Sequence, residues 1–144
     1  MTDPQPPFPP LKPGTHGSPE RSPRTLDGPL SHVALAAEAA SLRAERAYVE
    51  GDRNARTLAK DAWFRLTLVA LRPEAAFEEA DQRGVLALQA LEGEIELAVD
   101  GRALLVAAGE LVVIGAGQPW RARSTSEALL LIHLAWPPMP GDAS

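Results

Sequence analysis

Residues 109–124, GELVVIGAGQPWRARS, decide how the chain folds. The apolar run Leu111 to Ile114 is followed by Gly115 and Gly117, one residue apart, and then by Pro119. Such residues end a strand and permit a sharp reversal that a Cβ would obstruct. From Trp120 the pattern alternates, with Trp120, Ala122 and Ser124 against Arg121 and Arg123. Period two marks a strand with one face inward, so the indole is expected inside and the guanidiniums in solvent.

The same period extends outward in both directions. Ile95, Leu97 and Val99 alternate with Glu94 and Glu96, and the dipeptide Asp100-Gly101 that follows tolerates the positive φ values of a type I′ hairpin. Strands are predicted over residues 54–60, 63–71, 85–91, 93–99, 102–106, 111–114, 120–124 and 128–135, with a polar loop, FEEADQRG, before the third. Eight strands about ten residues apart read as an all-β sandwich or barrel. Ahead of them, the alanine-rich run from Ser31 to Ala47 holds no Gly or Pro and predicts a helix. Ser31 is expected to cap it, with Leu30 and Leu35 as a hydrophobic staple. Its apolar stripe is narrow, which suits packing on the outside of a barrel or across a dimer.

The glycine spacing resembles that of the cupin family, whose second motif reads Gly-x5-Pro-x-Gly-x2-His-x3-Asn. Here Gly109, Gly115, Gly117, Trp120 and Ser124 stand at those offsets, so both polar residues at the end of the motif are replaced. The likeness covers roughly residues 54–137 and is most specific in LEGEIELAVDGRALLVAAGELVVIGAGQP. It implies a cupin-like β-barrel, a double-stranded β-helix or jelly roll of the RmlC-like kind. The family's first motif, Gly-x5-His-x-His-x3–4-Glu-x6-Gly, ends on Gly93, which puts its glutamate at Leu86 and its histidine pair at Ala80 and Gln82, or at Glu79 and Asp81. An alkyl chain and an indole occupy two donor positions, and neither ligates a metal. The resemblance therefore implies a scaffold whose metal-binding histidines are replaced. The weak alternative is a remnant carboxylate site at Glu79 and Asp81, against the plainer reading of a solvated acidic loop.

Two roles are open to Trp120: a stacking wall for a planar or sugar-like ligand, or a plug in the cavity, the preferred reading. Trp120, His133, Leu86, Leu88 and Gln82 are the candidate lining of the lumen. His133, alone in the last strand, is either a core residue or an acid–base group. No nucleophile–base pair, phosphate loop or histidine cluster is present.

The remaining sequence bounds what surrounds this domain. Eight of the fourteen prolines lie within residues 1–28, a stretch expected to be a disordered, partly polyproline-II tail whose Pro-x-x-Pro spacings offer a weak docking motif. A helical segment over 29–48, the barrel over 54–137 and a flexible end over 138–144 complete the organisation. A net charge of −5 argues against nucleic acid and anionic membrane. The chain has no cysteine, no bilayer-length apolar run and no signal-like N-terminus, so a cytoplasmic location is expected. Strands apolar on both faces, 111–114 and 128–134, predict a homodimer, which the resemblance also implies. The expected function is a non-catalytic, metal-free small-ligand binding or regulatory module without a cofactor. The alternative is a metal-independent isomerase or epimerase using His133 or a lumen carboxylate as its base.

Overall fold

The computed structural model describes residues 29–79 and 83–136. The expected tail over 1–28, the end over 138–144, and Ala80, Asp81 and Gln82 lie outside them. Two helices, α1 (Leu35–Ala44) and α2 (Arg46–Glu50), precede β1 (Arg53–Asp61), β2 (Phe64–Leu71), β3 (Ala76–Glu79), β4 (Val85–Glu92) and β5 (Glu94–Val99). The chain continues through β6 (Arg102–Ala107), β7 (Leu111–Ile114), β8 (Trp120–Ser124) and β9 (Ala128–Ala135).

All strand pairs are antiparallel and form two sheets, ordered β1-β2-β9-β4-β7 and β3-β8-β5-β6. The sheets face each other across one apolar core, to which Leu86, Leu88, Leu130, Ile132 and Leu134 contribute from the first and Phe77, Ile95, Leu97, Val106 and Trp120 from the second. The expected barrel is thus a two-sheet jelly roll, for no pairing closes one sheet onto the other among the described strands. Gly93 carries the chain from one sheet to the other. Its φ is +76°, and a Cβ there would meet the Glu127 carbonyl oxygen at 2.0 Å. The β5–β6 hairpin turns on Asp100 and Gly101, with φ of 52° and 74°, as the type I′ reading requires.

A ninth strand, β3, occupies the start of the stretch read as a polar loop. Four residues are too short for alternation to announce a strand. It exists because β8 offers it a ladder, pairing Phe77 with Ala122 and Glu79 with Trp120.

The helical segment also differs from its prediction. α1 starts at Leu35 with Ala34 at its N-cap and no side-chain cap bond, so Ser31 does not cap it. Packing rather than capping sets its position: Ala39 and Leu42 bury against Leu68, Ala70, Leu129 and Leu131 on the outer face of the five-stranded sheet. The predicted single helix breaks at Glu45, whose ψ is 154°. Its carboxylate accepts from Asn54 Nδ2 at 2.8 Å and from Arg56 Nη2 at 2.9 Å. Arg56 Nη1 donates to Glu38 at 2.7 Å, so a guanidinium side chain only 2% exposed is bound by two carboxylates. The break serves that buried cation. No described helix is long and apolar enough to cross a membrane.

Candidate functional site

Three of the candidate lumen residues lie in the interior. Trp120, Leu86 and Leu88 are 3%, 0% and 0% exposed and belong to the same core. The Trp120 ring meets Phe77 edge-to-face, with centroids 5.5 Å apart and planes at 86°. The Arg53 guanidinium stacks over the other partner, 5.7 Å from the Phe77 centroid, while its Nε donates to Asp52 at 3.1 Å. This Arg53–Phe77–Trp120 series runs from a charged strand end into the core. Sequence reasoning singled out Trp120 but neither of the other two, because their proximity depends on β1 and β3 belonging to facing sheets.

His133 departs from its expected place in the lumen. It shares the outer face of β9 with Leu129 and Leu131, whereas Leu130, Ile132 and Leu134 face the core. Leu66 of β2 and Ala87 of β4 flank it in register. Partial burial lowers its pKa from the ordinary value, because desolvation disfavours the imidazolium. A lumen base cannot therefore be His133. Glu79 ends β3 on the Phe77 face, half-buried and opposite Trp120, while Gln82 and Asp81 lie outside the described residues. Among the described residues no group of three or more His, Asp or Glu side chains is placed to hold a metal ion.

Ser124, at the offset of the family asparagine, is fully buried. Its Oγ donates to the Arg72 carbonyl at 2.5 Å and accepts from Ala75 N–H at 3.0 Å, which pins β8 to the β2–β3 connection. The hydroxyl therefore works in the scaffold.

A groove of about 980 Å³ lies on the four-stranded sheet. Strand register sets most of its lining in two rows across the outer face. One reads Ala76, Arg123, Glu96, Leu105 and the other Glu78, Arg121, Ala98, Ala103. Arg123 is committed, bonding Glu96 at 2.6 Å and pairing with Glu74. Arg121 is exposed and makes no ion pair among the described residues. The alternation in WRARS announced the outward guanidiniums, but the groove needs small residues of β5 and β6 set beside them.

No family model matches the chain, and no curated protein matches it either. Solved structures do. One, of unknown function from Rhizobium leguminosarum, is 18% identical with a TM-score of 0.59 over 75% of this chain and 97% of that one. An RmlC-like cupin from Shewanella frigidimarina is 17% identical, TM-score 0.56, over 59% of this chain and 77% of that one. The cupin domain of an XRE family transcriptional regulator from Enterobacter cloacae is 18% identical, TM-score 0.54, over 60% of this chain and 98% of that domain. The two antiparallel sheets, the glycine turns and these likenesses agree: the chain is a single domain of the cupin fold.

Proposed function

We propose that this domain is a non-catalytic, metal-free small-ligand binding or regulatory module that works as a homodimer. The observation that carries the reading is the packing of Trp120 and Leu86, at positions where the family's motifs put donors, into one apolar core with Leu88. A buried indole and alkyl chains offer no lone pair of the kind a divalent metal binds. The likeness to a cupin domain of a transcriptional regulator supports the regulatory side of the reading.

The dimer rests on β7. Leu111 and Val113 are 56% and 64% exposed on an edge strand, and Val85 of the neighbouring β4 is 42% exposed. A second copy is the occupant that would cover both the apolar side chains and the open edge. The other strand apolar on both faces, β9, contributes less than expected, because α1 already covers Leu129 and Leu131.

Elemental analysis tests the metal-free reading. Protein expressed with added Mn, Fe, Ni and Zn is expected to carry far less than one equivalent of any of them. Near one equivalent, lost in a Glu79→Ala, Asp81→Ala variant, overturns it.

A further inference from the structure

We infer that the groove on the outer face of the four-stranded sheet is an anion-recognising site, taking a small carboxylate with a flat apolar body through Arg121. The inference deepens the ligand-binding reading above, and it places that ligand outside the interior. The core between the sheets is filled by large side chains, so a ligand entering there would have to displace Trp120 or its neighbours. The outer face has room already formed, about 980 Å³.

Its chemistry is asymmetric. In one row, Arg123 is neutralised by Glu74 and Glu96, and Leu105 stands 55% exposed at the end. In the other, Arg121 is directly opposite Ala98, which is in turn opposite Ala103. Two methyl side chains next to a guanidinium with no ion pair among the described residues leave a shallow floor on which an apolar ring can lie with its carboxylate against the guanidinium. The planar fork of Arg matches the two oxygens of a carboxylate. Glu78, across β3–β8 from Arg121, repels a second negative charge on the ligand and so favours a monoanion over a dianion.

Benzoate is the probe. The full chain, labelled with 15N, is titrated with benzoate and with neutral benzamide at constant ionic strength, and amide shifts are followed. Benzoate is expected to move the amides of Ala98, Ala103 and Arg121, with affinity on the order of 1 mM, and benzamide to leave them in place. Arg121→Gln is expected to weaken binding by about tenfold or more. Arg46→Gln, which removes the same charge from the exposed α2, leaves it unchanged. Ala103→Trp fills the floor at an exposed position and abolishes the shifts in a folded protein. Equal shifts with benzamide, or benzoate shifts that survive Arg121→Gln, overturn the inference. Shifts confined to the Trp120 indole and its core neighbours also overturn it, while leaving the binding-module reading in place. Conversion of a dimer to a monomer by Ala103→Trp identifies the face as an interface between copies and overturns it as well. Absence of shifts with either probe sinks the groove alone, since the metal-free reading is decided separately by elemental analysis.

Discussion

Phe77 and Trp120 meet edge-to-face at 5.5 Å although forty-three positions separate them in sequence, and they join the edge strand β3 to the centre of the core. Trp120→Ala should cost about 3–5 kcal/mol, the range for truncating a large buried aromatic without collapse of the site. A double-mutant cycle with Phe77→Leu should give a coupling of about 0.5–1.5 kcal/mol. Urea denaturation of the four proteins measures both. A loss under about 1 kcal/mol for Trp120→Ala would mean that the indole borders open space.

Ser124→Ala removes one acceptor of the buried Ala75 N–H and one donor to the Arg72 carbonyl, two groups that also bond each other at 3.3 Å. Neither is left wholly unpaired, so the loss should be about 0.5–1.5 kcal/mol, the net worth of a hydrogen bond, with a matching fall in the denaturation midpoint. Faster hydrogen exchange at Ala75 would locate the effect at the β2–β3 connection. An unchanged midpoint would show that water replaces the hydroxyl.

Arg56→Met leaves Glu38 and Glu45 facing each other in a partly buried site without their shared cation. Loss of one partner from such a cluster costs about 3–5 kcal/mol. The triple change Arg56→Met, Glu38→Gln, Glu45→Gln should recover much of it, because the uncompensated charges are gone. Failure of the triple variant to recover would assign the cost to packing of the arginine stem.

Acidification should destabilise the fold through His133. Its folded pKa lies below the ordinary 6.5, so on lowering pH the unfolded chain takes up the proton first. The stability is fully present above about pH 6.5 and declines as pH falls towards the folded pKa. His133→Gln should flatten that part of the melting-temperature profile. An identical slope in the variant would place the dependence on other groups.

Val113→Glu puts a charge in the middle of the exposed β7 patch. Sedimentation velocity should show the wild type as a dimer and the variant shifted towards monomer, with little change in the circular dichroism spectrum. A wild-type monomer at tens of micromolar, or a variant that stays dimeric, would remove β7 as the contact.

Local chemistry was enough to read eight of the nine described strands, the Asp100-Gly101 hairpin and the inward turn of Trp120, because period-two alternation and positive φ are properties of a few consecutive residues. The glycine spacing added the cupin resemblance. Tertiary structure alone decided which apolar face was which. His133, expected in the lumen, stands on the outer face of β9, because α1 packs on that side and the second sheet on the other, and alternation distinguishes two faces without naming the inner one. The break at Glu45 and the strand β3 depend on partners far along the chain, Arg56 for one and β8 for the other. So does the groove: Arg121, Ala98 and Ala103 come from three strands, and only the register of the sheet sets a guanidinium beside two methyl groups.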